Sequence, residues 1–136
     1  MRSLEKTFGE NAGKIWQKLN ESGTLEKNDL LNDAQITEEK FYAGIGWLAR
    51  EDKIFREGNN TYRLDNTNLT EEIGGTAGKI YKIMDVWGEA DVPILKTLID
   101  GEEKDVYSAL GWLAREDKID KKTNSDKYFL KEKKNK

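Results

Sequence analysis

The nine-residue stretch GWLAREDKI occurs at Gly46–Ile54 and again, letter for letter, at Gly111–Ile119. An identity of this length, 65 residues apart in a chain of 136, indicates an internal duplication. Aligned without gaps, residues 12–54 and 77–119 share 17 identities in 43 positions. The sequence therefore predicts two copies of one small domain, in which the residues that both copies keep are mainly those that form the fold.

The duplication also predicts where each copy begins and ends. We expect a first repeat at residues 1–65, a polar linker at 66–76, a second repeat at 77–130 and a basic, disordered tail at 131–136. Domains of this size bury only a limited core. We therefore expect contact between the repeats, or self-association, to contribute to stability.

Each repeat contains three stretches in which apolar residues recur at helical spacing. The first helix is predicted over Gly9–Glu21, with stops near Gly23 and Gly88 in the two copies. The second helices are predicted over Lys27–Ala34 and Pro93–Ile99, and the third over Glu38–Glu51 and Glu103–Glu116. The inward side chains of the third helices are predicted to be Phe41, Ile45 and Leu48, matched by Val106, Leu110 and Leu113. Small residues beside them, Gly44 and Ala109, indicate that another helix crosses nearby.

After the third helix the pattern changes to that of a β-hairpin. Residues 53–57 and 61–64 flank the turn sequence Gly58-Asn59-Asn60, and residues 118–122 and 127–130 flank a longer polar loop. Three helices followed by such a wing are typical of winged helix-turn-helix domains. The predicted fold class is mainly α with small β-hairpins (α+β): two tandem winged helix-turn-helix domains, each with three helices and a two-stranded wing.

The second copy reads Tyr107-Ser-Ala-Leu-Gly-Trp-Leu-Ala-Arg-Glu-Asp-Lys-Ile119. It resembles a small family of prokaryotic winged helix-turn-helix domains of unknown function, which carry the signature Y-x-A-L-G-W-L-A-R-E-G-K-I. The first copy departs from that signature at Gly44 and Ile45. Where the family usually has Gly, this chain has Asp52 and Asp117, and Asp tolerates a left-handed backbone. We predict positive φ at both, or a helix end that is tightened in a different way. The resemblance implies a winged fold and DNA binding, without an established activity.

The composition excludes several classes of function. The chain has no Cys and no His, which removes disulfides, thiolate and imidazole metal sites, and Cys- or His-based catalysis. There is no glycine-rich phosphate loop of the kind that nucleotide-binding enzymes carry. We therefore expect no enzymatic activity, no cofactor and no small-molecule substrate. No apolar run approaches 18 residues, so we expect no contact with a membrane and a cytoplasmic location.

The charge distribution argues against the usual mode of DNA recognition. The net charge is −3, and neither repeat is basic as a whole. Carboxylates stand at the start of both third helices, at Glu38, Glu39, Glu102 and Glu103, where they would repel a phosphate backbone. Their simplest role is to stabilise the positive end of the helix dipole. The other outward residues of the third helices are Tyr42, Ala43 and Gly46 in one copy and Lys104, Tyr107, Ser108 and Gly111 in the other.

Two functions follow from these patterns. In the first, the protein is a transcription-associated, weak and salt-sensitive binder of double-stranded DNA. Its phosphate contacts come mainly from the basic tail and from wing residues Lys53, Arg56, Arg63, Lys118, Lys121, Lys122 and Lys127. In the alternative, it is a protein-interaction module whose third helices dock on the other repeat, on a second copy or on a protein partner. That surface would comprise Tyr42, Trp47, Tyr107 and Trp112. The tryptophans could equally be core residues beneath their own wings, and the lysines a solvated surface.

Overall fold

The computed structural model describes residues 3–131, which form two repeats with the same order of elements. The first repeat comprises α1 (Leu4–Ser22), β1 (Thr24–Glu26), α2 (Lys27–Ala34), α3 (Glu38–Arg50), β2 (Ile54–Glu57) and β3 (Thr61–Leu64). The second begins with a π-helix (Thr70–Gly74) and continues with α4 (Gly75–Trp87), β4 (Glu89–Ala90), α5 (Val92–Ile99), α6 (Glu103–Arg115), β5 (Ile119–Lys121) and β6 (Tyr128–Leu130). The predicted order of three helices followed by an antiparallel hairpin is confirmed in both repeats.

Helix boundaries follow from local capping groups. The Thr37 hydroxyl accepts a hydrogen bond from the Lys40 amide at 3.3 Å, so Thr37 is the N-cap of α3. The Ser3 hydroxyl accepts from the Lys6 amide at 3.1 Å in the same way. Helix α1 consequently begins at Leu4, and the prediction that it begins at Gly9 was wrong.

The third helices end as predicted. Asp52 and Asp117 have φ values of 61° and 60°, and their amides donate to the carbonyls of Ala49 and Ala114, both at 2.9 Å. An aspartate thus takes the left-handed position that ends the helix and directs the chain into the wing. The same geometry in both repeats shows that glycine is not required there.

Each wing belongs to a three-stranded antiparallel sheet rather than to an isolated hairpin. The strand orders are β1-β3-β2 and β4-β6-β5. Leu25 of β1 stands opposite Tyr62, and Ala90 of β4 stands opposite Tyr128. The sequence prediction missed β1 and β4 because two or three residues are too few to show strand alternation.

The two cores are built from equivalent residues. Phe41, Ile45 and Leu48 are buried in the first repeat, and Val106, Leu110 and Leu113 are buried in the second, as predicted. Gly44 is small because α1 crosses there: a Cβ atom on Gly44 would lie 2.7 Å from Cδ1 of Ile15. Within residues 3–131, no helix combines the length and the apolar character needed to cross a membrane.

The two repeats exchange their N-terminal segments. Leu4 and Phe8, at the start of α1, are buried in the apolar core of the second repeat. Leu69 and Ile73, their equivalents 65 residues later, are buried in the core of the first repeat. Each core is therefore completed by residues that belong, by sequence, to the other repeat.

The segment expected to be a linker, residues 66–76, includes the π-helix and the start of α4. It is held against the first wing immediately after β3. The Asp52 carboxylate accepts from the Asn66 side chain at 2.9 Å and from the Thr67 amide at 2.8 Å. The Asn68 side chain exchanges hydrogen bonds with the backbone of Arg56 at 3.0 and 2.8 Å. This short connection keeps the start of the second repeat on the first. The tail residues 132–136 lie outside the described residues.

Candidate functional site

The third helices, α3 and α6, cross each other in backbone contact. A Cβ atom on Gly46 would lie 1.8 Å from the carbonyl oxygen of Ser108, and one on Gly111 would lie 1.9 Å from that of Ala43. Gly46 and Gly111 are equivalent positions, as are Ala43 and Ser108, so the contact is related by an approximate twofold axis. No side chain larger than hydrogen fits at either glycine unless the helices move apart.

Ion pairs repeat the same symmetry at the ends of the two helices. Arg50 donates to Glu116 at 2.9 Å, and Arg115 donates to Glu51 at 2.8 Å. Each arginine also lies over the indole of the opposite repeat, with 5.8 Å between Arg50 and the Trp112 ring and the same distance between Arg115 and the Trp47 ring. Each arginine therefore pairs with an acidic residue at a helix end that belongs to the other repeat.

The tryptophans and tyrosines expected to form a docking surface all lie on α3 and α6. Trp47 and Trp112 are half-buried and pack against the cores of both repeats. Tyr42 and Tyr107 are also half-buried, and the Tyr42 hydroxyl accepts from Lys27 at 3.3 Å. The pKa of Tyr107 is raised by burial and then by the carboxylates of Glu39 and Glu103.

The small residues beside these aromatic side chains were expected to face outward. They do face away from the core of their own repeat, but not into solvent. Ala43, Gly46, Ser108 and Gly111 are all buried, because the opposite third helix covers them. In winged-helix DNA readers, the third helix enters the major groove along such a face. That face is already occupied in this molecule.

The cations of the first wing (β2, β3 and their turn) are paired with carboxylates. Arg56 forms a forked pair with Glu72, at 2.7 and 3.2 Å. Burial lowers the pKa of Arg56, but the hydrogen bond and charge of Glu72 outweigh it and leave this pKa raised. Arg63 pairs with Glu57 and Asp65, and Lys53 lies 3.5 Å from Glu51.

The second wing (β5, β6 and the loop between them) presents a looser set of cations. Lys122 and Lys127 share Glu89, at 2.9 and 3.3 Å, and their hydrogen bonds lower the pKa of that carboxyl. Lys118 lies 3.3 Å from Glu116. Within residues 3–131, the Lys121 ammonium has no ion pair. Exposed pairs of this kind contribute about 0–1 kcal/mol each, so phosphates could replace their carboxylates at little cost.

A groove lies between each wing and the exchanged N-terminal segment, and the two grooves differ greatly in volume. At the first wing, the Arg56–Glu72 pair and Tyr62 leave a cavity of about 20 Å³. At the second wing the cavity is about 560 Å³. It is lined by Ser3, Leu4, Thr7, Phe8, Thr37, Glu39, Lys40, Tyr107, Asp120, Lys121, Lys122, Thr123, Asn124 and Tyr128.

Each groove contains a buried tyrosine of its wing. Burial raises the pKa of Tyr62, and it raises the pKa of Tyr128 to about 12, so both phenols are neutral at physiological pH.

The outer faces of the repeats also differ. In the second repeat, Val86, Trp87 and Leu98 are exposed by 82%, 55% and 42%, and Phe129 lines a shallow pocket beside Trp87. The equivalent residues of the first repeat are Glu21, Ser22, Asp33 and Arg63. At these four positions, therefore, the second repeat presents large apolar side chains and the first repeat presents polar ones.

Sequence reasoning missed the exchange of N-terminal segments and the open groove. The match of Phe8 with Ile73 was visible, and extending it four residues upstream pairs Leu4 with Leu69. That periodicity indicates two apolar turns before each predicted helix start. It does not indicate which core they enter, because the same pattern serves either repeat.

Comparison with known families agrees with this architecture. The family described as Winged helix-turn-helix domain (DUF2582) matches residues 3–64 and again residues 68–132. No curated protein and no solved structure matches the chain significantly. The two matches cover nearly all of both repeats, and each begins at the exchanged segment. The chain therefore belongs to the DUF2582 family of winged helix-turn-helix domains, of which it carries two tandem copies.

Proposed function

We propose that this protein binds double-stranded DNA through its wings, chiefly the second wing and the basic tail, in a transcription-associated role. The contact between α3 and α6 carries the proposal. Because these helices cover each other's outward faces at Gly46 and Gly111, the wings are the basic elements left to meet a duplex. No catalytic role is assigned to any residue.

The balance of charges favours the second wing over the first. Arg56 and Arg63 are each committed to carboxylates of their own repeat or of the adjoining segment. Lys121 has no such partner within residues 3–131, and Lys122 and Lys127 share a single one. Moving these lysines onto phosphates breaks fewer existing pairs, so the second wing is the better candidate for phosphate contact.

The affinity should be modest and strongly dependent on salt. Carboxylates at the starts of both third helices oppose a close approach, and the net charge of −3 gives no long-range attraction. Binding then rests on a few phosphate contacts, each of which releases counterions from the DNA. Little discrimination between sequences is expected from such contacts.

The experiment is fluorescence anisotropy of labelled duplex DNA at about 50 and 200 mM salt. Replacing Lys121, Lys122 and Lys127 by alanine should weaken binding and reduce the slope of log affinity against log salt by about 2–3. The matched control replaces Lys79, Lys82 and Lys96, three exposed helical lysines of the same repeat, by alanine. Absence of binding at the lower salt concentration, or an equal loss in the control, would refute wing-led DNA contact.

A second candidate function is protein interaction, and a different surface favours it. The Tyr/Trp face of the third helices is largely covered by the opposite repeat. The outer face of the second repeat carries Val86, Trp87, Leu98 and Phe129 where the first repeat is polar. Exposed aromatic and aliphatic residues of this kind are typical of protein contact surfaces. This candidate predicts a partner that covers Trp87.

A further inference from the structure

The groove between the second wing and the start of α1 has the size and lining of a ligand site. Its volume of about 560 Å³ falls within the range of small-molecule pockets. We propose that it binds a small organic carboxylate with an apolar body, the carboxylate placed against Lys121. The site shares Lys121 and Lys122 with the proposed DNA contact, but it does not depend on DNA binding, and its test is made without DNA.

The first wing supplies an internal template for the proposed contact. There, Glu72 of the exchanged segment places its carboxylate on Arg56 of the wing and fills the groove. The equivalent residues at the second wing are Thr7 and Lys121. The cation is retained at this position, whereas the carboxylate is replaced by a short hydroxyl side chain. A ligand carboxylate in the open groove would occupy the place that Glu72 takes in the closed one.

The start of α3 supplies a second cation to the open groove. Lys40 lines it at the position where the closed groove has Asp105, and Glu39 lines it where the closed groove has Lys104. Within residues 3–131, neither Lys40 nor Lys121 forms an ion pair. Glu39, Asp120 and Lys122 also line the groove, and Lys122 is already paired with Glu89. Two unpaired cations beside two carboxylates favour a ligand with one carboxylate over a polyanion.

The floor of the groove provides an apolar surface on which the body of the ligand can pack. Leu4, Phe8 and Tyr128 are buried with exposures of 8%, 7% and 6%, and the half-buried Tyr107 adjoins them. An aromatic or branched aliphatic group can pack on these side chains while its carboxylate reaches the lysines at the rim. In the closed groove, Ile73 replaces Phe8, and the Arg56–Glu72 pair covers Tyr62.

The test uses 1-naphthaleneacetate as the probe, with ¹H–¹⁵N NMR spectra of the full chain as the readout. The probe should change the chemical shifts of the amide signals of Thr7, Lys40 and Lys121 in a saturable way, with a Kd of about 1 mM or lower. The control within the same molecule is the closed groove, where the equivalent amide signals should not shift: those of Glu72, Asp105 and Arg56. The neutral analogue 1-naphthaleneacetamide should bind at least about tenfold more weakly, because it lacks the charge that pairs with Lys121.

Two matched variants distinguish the effect of a carboxylate charge at position 7 from the effect of side-chain volume there. Thr7→Glu restores the carboxylate found at position 72 and should lower the affinity for the probe at least about tenfold. Thr7→Gln adds the same volume without the charge and should lower the affinity less than Thr7→Glu does. Dispersed peaks in the same spectra establish that each variant is folded.

Four results would each overturn the proposal. They are no saturable shift, equal shifts at both grooves, equal affinity for the neutral analogue, and an equal loss in the Thr7→Gln and Thr7→Glu variants. The first two would show that the groove is not a selective site. The last two would show that it does not select a carboxylate.

Discussion

At the contact between α3 and α6, the repeats present largely the same residues to each other, with Ala43 and Ser108 as the exception, whereas on their outer faces they share almost none. Gly46 and Gly111 bring the backbones together, and Arg50 and Arg115 form equivalent pairs across the contact. On the outer faces, Trp87 stands where the first repeat has Ser22, and Leu98 stands where it has Asp33.

This difference indicates what the repeated GWLAREDKI stretch does. A third helix that is identical in two winged domains could be taken for a DNA-reading surface. Here part of the identity lies at a contact where Gly46, Arg50 and Glu51 meet the other repeat. A substitution at such a position must fit both its own repeat and the opposite one, whereas the outer faces carry no such double constraint.

The largest effect should come from breaking the shared contact. Replacing both Gly46 and Gly111 by alanine forces the helices apart, because each new Cβ would lie within 2 Å of a backbone carbonyl. We expect the free energy of unfolding to fall by about 5 kcal/mol or more, since each overpacked site costs about 3 kcal/mol. Urea denaturation followed by tryptophan fluorescence measures this loss.

The control replaces glycine by alanine at helix positions where the added Cβ atom meets no neighbour. Nothing lies within 4 Å of a Cβ atom on Gly13 or on Gly78, both in helix interiors. Gly13→Ala and Gly78→Ala should each stabilise the protein by about 0.5–1 kcal/mol. A double variant at Gly46 and Gly111 that is as stable as the wild type would contradict the close crossing of α3 and α6.

An intermediate effect should reveal the exchange of N-terminal segments. Ile73→Ala removes a side chain buried in the core of the first repeat, although Ile73 lies in the sequence of the second. Ile80→Ala makes the same change in the core of the second repeat. Each should cost about 2–4 kcal/mol. Hydrogen exchange should accelerate mainly around Phe41 in the Ile73 variant and around Val106 in the Ile80 variant. Faster exchange around Val106 in both variants would refute the exchange.

The smallest effect on stability should come from the outer face. Trp87→Ser introduces the residue of the first repeat, and because Trp87 is 55% exposed, the free energy of unfolding should change by no more than about 1 kcal/mol. A photo-crosslinking amino acid at position 87 should form adducts with a partner protein in cells, whereas the same group at position 22 should not. Equal adduct patterns at both positions would count against a docking surface on the second repeat.

The fold was largely predictable because local signals agree with it. The helical spacing of Phe41, Ile45 and Leu48, the N-cap at Thr37 and the left-handed Asp52 and Asp117 all depend on neighbours in the sequence. The two missed strands, β1 and β4, depend on pairing with β3 and β6, which lie dozens of residues away. Which repeat supplies the carboxylate partners of Arg50 and Arg115 depends on how the helices cross, and no local signal specifies that.

The sequence by itself determined the duplication, the helices and wings of each repeat, and the residues available for contact. Only the tertiary structure decided that the third helices cover each other, that Leu4 and Leu69 enter opposite cores, and that one groove is closed by Glu72 while its equivalent stays open beside Thr7. The physical reason is that a repeated pattern specifies equivalent surfaces without specifying their partners. Which surfaces meet depends on the connection after Leu64 and on the absence of side chains at Gly46 and Gly111, and both act only in three dimensions.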